Sequence, residues 1–438
     1  MSDNDRDTLR RVAWSEICPW LAIFRTFRLA IGLRVLVLAA VGIFLTLSGW
    51  AVLGWVFLED AELEMPAWMG PGKGCPWVAI DEAVPDRPTL RNLGKGLEAG
   101  PLAPTAWQAP DPYSGTWVQL SQPLWEVGRG SVTLRKLACL LLCGLWAVAV
   151  WAFFGGAITR IAAVQLACEE RVGWGAALRH AGSKWLSYFA APLLPLMGVL
   201  LVGLPVVLAG FLLREQYVGV WLAALVWPLV LLAGLLMAML ALGLIFGWPL
   251  MWATIGAEGT DSFDALSRCY AYVFGRPLHY LFYAFVAAVV GALGWLLVSN
   301  FAAGVIWASY SAAGWGAGVD NVELIRLIHK GELGGAGQII EVCWVGCVKL
   351  LAVGFIYGYF WTASTAIYFL LRRDVDATEM DEVFLDEDAS EPSYGLPPLK
   401  TDEAGAPVVD EDVPEVEPDE SRPPEEGAEN EPPPTDRW

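Results

Sequence analysis

The chain has 438 residues, of which 56 % are apolar, and it carries 23 Trp and a formal net charge of −19. Such a composition excludes an ordinary soluble domain and indicates a polytopic membrane protein. The charge is uneven, because residues 374–438 hold 23 acidic side chains against three basic ones, whereas residues 1–373 are nearly neutral. An acidic tail disfavours binding to nucleic acids, which are polyanions themselves.

The amino-terminal part predicts a surface arm followed by a span. Residues 1–34 combine an apolar stripe with arginines and have no small-residue cleavage site, so we expect a cytoplasmic amphipathic arm rather than a removable signal peptide. Span 1 follows at 35–58. Residues 59–133 contain ten Pro, nine Gly and five Trp. This density predicts an external loop of turns and short extended pieces, with residues 113–118 as a hairpin fragment. The loop is either an irregular lid or a small binding domain.

The second span is the most clearly defined. Residues 137–159 are 23 uncharged residues in succession, or roughly 34 Å of helix, enough to cross a hydrocarbon core of about 30 Å. An amphipathic surface helix is predicted at 172–188, where tryptophans and small residues recur at helical spacing. Span 3, at 190–213, contains three prolines, and we expect a kinked helix there.

The longest apolar run can be interpreted in two ways. Residues 216–257 are 42 uncharged residues, about 63 Å as one helix and twice what a bilayer needs. Dividing the run at Pro228 gives an interfacial or re-entrant piece at 217–227 and span 4 at 229–256. Two full spans are the alternative, and they would place everything downstream on the opposite side of the membrane.

The remaining elements follow from caps, prolines and charge. A second surface helix is predicted to begin after Asp261 or Ser262 and to end at Gly275-Arg-Pro277. The tail contains 11 of the 28 prolines and is predicted to be disordered. Its first residues, 374–385, are expected to form a third short amphipathic element. The other predicted parts are span 5 at 280–311, an external turn at 312–338 and span 6 within 339–373.

Aligning residues 168–188 with 256–280 places Glu170 on Glu258 and Leu178 on Leu266. Residues 134–213 and 217–311 would then be two copies of one unit, each with a span, a charged turn, a surface helix and a returning span. Any amphipathic helix between two spans can produce the same alignment, so the repeat and this simpler explanation both stay open. Lys and Arg are concentrated beside the predicted inner ends of the spans, which predicts an inner-membrane protein with both termini in the cytoplasm.

Three stretches resemble an uncharacterised family of multi-spanning bacterial inner-membrane proteins. They are Gly155-Gly-Ala-Ile-Thr-Arg-Ile-Ala-Ala163, Asp264-Ala-Leu-Ser-Arg-Cys-Tyr-Ala-Tyr272 and Leu370-Leu-Arg-Arg-Asp-Val-Asp376. The resemblance extends over about residues 130–385. It implies the same membrane topology and brings with it no activity, cofactor or catalytic residue.

Two cysteine pairs with four-residue spacing, Cys139/Cys143 and Cys343/Cys347, are the candidate metal or redox residues. Each pair shares one helix face near the predicted outer end of span 2 or span 6. Four thiolates on facing helices could bind a soft metal ion, one thiol from each helix could form a disulfide, or the cysteines could simply pack as small apolar residues.

Polar side chains inside the spans are the candidates for a permeation path. These are Ser299, Asn300, Thr362 and Thr365, with interhelical hydrogen bonding as the alternative use. The sequence predicts no charge in the central turns of a span, and Arg34, Arg160 and Lys349 are expected to extend to a membrane surface. Two small-residue faces, Gly243/Gly247 and Gly354/Gly358, predict close helix contacts.

No catalytic order, phosphate loop or zinc spacing is found, so neither an enzyme nor a cofactor is expected. The favoured function is a non-catalytic membrane scaffold or envelope-assembly component. Its expected partners are the lipid bilayer, a membrane protein or a second copy of the chain, and a basic cytoplasmic protein bound by the acidic tail. The alternative is a permease or transporter subunit for a small, uncharged solute.

Overall fold

The computed structural model describes residues 18–58, 84, 112–128, 133–214, 218–318, 339–380 and 382–384. Within these ranges the chain forms ten α-helices and no β-strand. A 3₁₀ turn, Pro19–Leu21, precedes the first helix, and a π-helical turn, Ile339–Val345, precedes the last. The helices are α1 (Ala22–Ala30), α2 (Leu33–Leu58), α3 (Pro112–Gly128), α4 (Leu134–Ala167), α5 (Trp174–Ser183), α6 (Trp185–Leu212), α7 (Val218–Glu258), α8 (Ser262–Gly275), α9 (Pro277–Ala317) and α10 (Gly346–Asp376).

In the described part of the chain, six helices are long and apolar enough to cross a membrane, namely α2, α4, α6, α7, α9 and α10. The shortest, α2, has 26 residues and is about 39 Å long, which exceeds the hydrocarbon core of about 30 Å. These six helices correspond to the six spans that the hydropathy predicts. The fold is therefore an all-α polytopic one, as the sequence indicates.

Helix α10 forms the centre of the bundle. It packs against α1, α2, α3, α4, α7 and α9, and every residue from Tyr357 to Arg372 is buried. A Cβ atom at Gly354 would lie 2.8 Å from the Leu36 carbonyl oxygen, and one at Gly358 would lie 2.7 Å from Val35 Cγ1. The close contact predicted for these two glycines is confirmed, and its partner is α2.

Helices α6 and α7 lie at the periphery. They pack extensively against each other, yet only 6 % of the most apolar stretch of each is buried. At the other predicted small-residue face, a Cβ atom at Gly243 would lie 2.2 Å from Tyr270 Cε1, so here the glycine accommodates α8. Much of the apolar surface of this helical hairpin is consequently available to lipid.

The predicted break at Pro228 is wrong. Helix α7 continues through Pro228 and Pro249 for 41 residues without interruption, about 61 Å in length. Proline is tolerated in membrane helices because other groups can satisfy the carbonyls that it leaves without a donor. The run 216–257 therefore contributes one helix, and the two-span alternative is not what the structure contains.

The segment predicted as an irregular loop contains helix α3. The hairpin fragment at 113–118 is wrong, because these residues are helical. Pro112 occupies the first helical position, where its missing N–H costs nothing. The Tyr113 ring packs 5.4 Å from Phe360 at the middle of α10, so burial of its aromatic residues stabilises α3 despite Pro123. Val84, from the same segment, is also buried, whereas the rest of 59–111 lies outside the described residues.

Both predicted surface helices are present, as α5 and α8. Helix α8 begins after Asp261, whose carboxylate accepts a hydrogen bond from the Asp264 backbone N–H at 2.9 Å. The order of long, short and long helix is the same in α4–α6 and α7–α9, as a repeat requires. A common origin of the two units stays a hypothesis.

The two terminal regions differ from expectation. Helix α1 of the predicted arm packs against α9 and α10 and buries Ile23, so part of its apolar stripe faces protein, and its position at a membrane surface stays a prediction. The third amphipathic element predicted at 374–385 is wrong. Helix α10 ends at Asp376, and Ala377 adopts a left-handed conformation with φ 54°. Residues 1–17 and the tail from residue 385 lie outside the described residues.

Candidate functional site

The structure does not bring the four candidate cysteines together. Cys139 and Cys143 are buried on α4, whereas Cys343 and Cys347 are exposed at the start of the last span. The Cys139 thiol lies 3.8 Å from the Leu53 carbonyl oxygen of α2, in keeping with a packing role. Among the described residues no group of three or more His, Cys, Asp or Glu side chains is arranged to hold a metal ion.

The candidate polar path consists of side chains that bond to their own helix. The Ser299, Thr362 and Thr365 hydroxyls donate to the carbonyls of Leu296, Tyr359 and Trp361 at 3.3, 3.0 and 2.9 Å. Asn300 also donates to Leu296, at 2.8 Å. A hydroxyl bonded back to the preceding turn is common in buried helices. These three hydroxyls therefore donate within their own helices, and not between helices as the alternative interpretation of the sequence proposed.

Tryptophan and tyrosine donors supply the interhelical hydrogen bonds instead. The clearest case is Trp117 of α3, whose indole N–H donates to the Ile245 carbonyl of α7 at 2.9 Å. In a regular helix that carbonyl would accept a hydrogen bond from the N–H of residue 249, but proline has no N–H. The other donors and the residues whose carbonyls accept are Trp50 to Cys143, Trp146 to Leu45, Trp185 to Ala149, Tyr188 to Gly156, Tyr270 to Leu240, Tyr280 to Phe246 and Tyr359 to Ala287.

A charged cluster lies where α7, α8 and α10 meet. Glu258, the last residue of α7, pairs with Arg268 of α8 at 2.7 Å and with Arg372 of α10 at 3.6 Å, and it accepts a hydrogen bond from the Tyr368 hydroxyl. We call these four residues the Glu258 cluster. Burial lowers the pKa of the Arg268 guanidinium, but the charges of Glu258 and Asp264 outweigh it and raise that pKa above its ordinary value.

Two tyrosine–aspartate pairs extend this cluster. The Tyr272 hydroxyl of α8 donates to Asp376, and the Tyr283 hydroxyl of α9 donates to Asp374 at 2.7 Å. Burial, and then the hydrogen bond to Asp376, raise the pKa of Tyr272 well above its ordinary value. The phenol stays protonated and remains a donor, so these contacts tie α8 and α9 to the end of α10.

The chain then returns across this end of the bundle as a strap, Glu382–Phe384. The Phe384 N–H donates to the Ala257 carbonyl at 3.0 Å, and its carbonyl accepts from Arg160 at 2.6 Å. Arg372 donates to the Glu382 carbonyl at 2.8 Å. Sequence analysis did not predict this arrangement, because Arg160 was expected to extend to a membrane surface. Its side chain is instead buried and donates to the carbonyls of Gly256 and Phe384. Lys349 is buried too.

A single geometry explains these contacts: charges and phenols from five helices are paired with one another or with backbone carbonyls at one end of the bundle. The arrangement joins helices and holds the strap. With six membrane-length apolar helices, one of which is the buried α10, the described part of the chain places it in the class of polytopic α-helical membrane proteins. No family model, curated protein or solved structure matches it. The family resemblance seen in the sequence and the bacterial origin it implies stay hypotheses.

Proposed function

We propose that the protein is a non-catalytic scaffold of the inner membrane that presents its acidic tail to basic cytoplasmic proteins. The observation that carries this proposal is the strap, since both backbone polar groups of Phe384 are hydrogen-bonded to the bundle. The acidic segment 386–438 starts two residues later. An acidic segment that follows a residue fixed to the bundle is suited to collecting basic partners near the membrane.

Other features support a structural role over catalysis. The Thr362 and Thr365 hydroxyls at the centre of the bundle are hydrogen-bonded to their own helix, and the buried arginines have carbonyl or carboxylate partners. The peripheral α6 and α7 offer apolar surface to a neighbouring membrane protein or a second copy of the chain. Placing the strap in the cytoplasm follows the distribution of Lys and Arg.

The test compares three forms of the full protein in crosslinked detergent extracts. They are the natural chain, a chain lacking 386–438, and a chain of natural length in which the acidic residues of 386–438 are replaced by their amides. We expect the same basic proteins to be lost from both variants. In the natural chain, raised salt should weaken the binding of these proteins. Recovery of the same partners with and without the tail would contradict the proposal.

A permease for a small uncharged solute is the second candidate, and α3 is the observation that favours it. This helix has 17 residues, about 26 Å, which is shorter than a membrane span. It starts beside Phe360 at the middle of α10, and half-length helices that end inside the bundle are typical of transporters. Solute flux into vesicles that is altered by Asn300→Ala or Thr362→Ala would support this function over the scaffold.

A further inference from the structure

A cavity of about 410 Å³ lies between α3, α4, α6 and α7. Its volume falls within the range of small-molecule sites, roughly 300–1,000 Å³. Aromatic rings form much of the wall. We call it the tryptophan groove, defined by Trp117, Trp125, Gly144, Trp151, Leu193 and Trp248. It is separate from the Glu258 cluster and shares no residue with it.

Most polar groups of the groove wall are hydrogen-bonded within the protein or are buried. The Ser121 hydroxyl donates to the Trp117 carbonyl at 2.8 Å and accepts from the Trp125 indole N–H at 3.1 Å. The Trp117 indole N–H is bonded to Ile245. The indole nitrogens of Trp151 and Trp252 are buried among the rings. An occupant therefore meets mainly hydrocarbon and aromatic surfaces, where water would find few partners.

The groove opens beside exposed apolar side chains, which a membrane around the spanning helices would place against lipid. Leu141 and Leu145 of α4 and Leu124 and Trp125 of α3 line it, and all four are more than 40 % exposed. The two leucines lie within the apolar stretch of a spanning helix. A void left beside these rings would forfeit dispersion contacts that a flexible chain from the bilayer can supply. The groove is thus accessible from the lipid phase.

We propose that the tryptophan groove binds one acyl chain of a membrane lipid. A mainly apolar wall selects by shape, since none of its lining residues is charged. The lipid headgroup stays at the membrane surface while one of its chains lies against α3 and α4. This lipid would fill the space between the short helix α3 and the peripheral hairpin α6–α7, and it would be retained longer than lipids elsewhere around the protein.

Gly144 gives a sharp test. Among the described residues, a Cβ atom at this position would have only Pro123 Cβ within contact range, at 3.8 Å, so Gly144→Leu extends into the groove without a backbone clash at Cβ. The matched control is Gly234→Leu on α7, where no described atom outside the helix's own backbone lies within 4 Å of an added Cβ. Both full-length variants and the natural protein are reconstituted with a phosphatidylcholine that carries a diazirine on one acyl chain. Crosslinks are then located by mass spectrometry.

We expect crosslinks on 117–125 and 140–148 that fall at least fivefold in Gly144→Leu and are unchanged in Gly234→Leu. Equal labelling in the two variants would overturn the proposal. A second comparison needs no variant: in the natural protein the groove peptides must be labelled more heavily than Phe285 and Leu293, which are exposed on α9. Equal labelling of the groove peptides and the α9 positions would indicate an ordinary lipid shell and would overturn the proposal. A groove that is occupied by a protein segment and carries no lipid adduct would also overturn it.

Discussion

The Trp117 indole N–H donates to the Ile245 carbonyl at 2.9 Å, and this is the carbonyl that Pro249 deprives of its partner four residues later. A side chain from the short helix α3 thus satisfies a backbone carbonyl of the spanning helix α7. In a membrane no water is at hand to do so, and an unsatisfied carbonyl is costly.

This pairing can be tested with Trp117→Phe, which keeps a large ring and removes the donor. We expect a loss of about 1–3 kcal/mol in the free energy of unfolding, because the Ile245 carbonyl is left unpaired. The measurement is equilibrium unfolding in mixed detergent. Pro249→Ala restores an N–H donor within α7, so Trp117→Phe should cost clearly less in that background. An equal cost in both backgrounds would show that the ring, and not the hydrogen bond, matters.

A second prediction concerns Glu258→Gln. The side chains of Arg372 and Glu258 are only 8 % and 12 % exposed, so removing the negative charge takes the buried carboxylate away from a buried guanidinium and leaves it with the 65 % exposed Glu382 at 3.7 Å. We expect a loss of about 3–5 kcal/mol in the free energy of unfolding. Asp264→Asn is the control, because Arg268 and Asp264 are 40 % and 45 % exposed and such pairs contribute about 0–1 kcal/mol. Similar losses for both variants would argue against a stabilising role of the cluster.

A third prediction uses Gly354. An added Cβ would lie 2.8 Å from the backbone oxygen of Leu36, and backbone cannot move aside cheaply, so Gly354→Ala should destabilise the bundle by about 1–3 kcal/mol. At Gly304 no atom of the described part of the chain, apart from the helix's own backbone, lies within 4 Å of an added Cβ, and Gly304→Ala should stabilise α9 by up to about 1 kcal/mol. Thermal unfolding in detergent measures both. The opposite order would contradict the close contact between α2 and α10.

A fourth prediction concerns thiol labelling and topology. Burial raises the pKa of Cys269 on α8 to about 12, so at pH 8 the thiol is almost entirely protonated and should react very slowly with maleimide. Its thiolate appears only as the pH approaches that value. Cys343 is exposed and should react faster, which single-cysteine versions of the chain can show by mass spectrometry.

The same approach tests the orientation of the chain. In intact cells an impermeant maleimide should label Cys343 directly, whereas Asp264→Cys, at a 45 % exposed side chain, should be labelled only after permeabilisation. Cys269 serves as the protected reference in both conditions. Labelling of Asp264→Cys from outside would reverse the predicted placement of both termini.

The sequence predicts the six spans and α8 because their signals are local. Hydrophobic runs, the Asp261 cap and Pro277 act within a few residues of the helix that they define. Helix α3 was missed since Gly115 and Pro123 signal turns, whereas its stability comes from contacts with helices far along the chain. The Glu258 cluster was missed for the same reason: Tyr368 and Glu258 are 110 residues apart. The inward direction of Arg160 likewise depends on Phe384, 224 residues away.

The buried position of α10 has a consequence for biosynthesis. A ribosome makes this helix after the other nine described helices, so the spanning helices α2, α4, α7 and α9 enter the membrane before their shared packing partner exists. Until translation has passed Asp376, the glycines and aromatic rings that pack against α10 in the finished bundle are exposed to lipid or to helices of other proteins. Assembly of the native bundle is therefore a late event, and a chain that terminates early is expected to be a substrate for quality-control proteases.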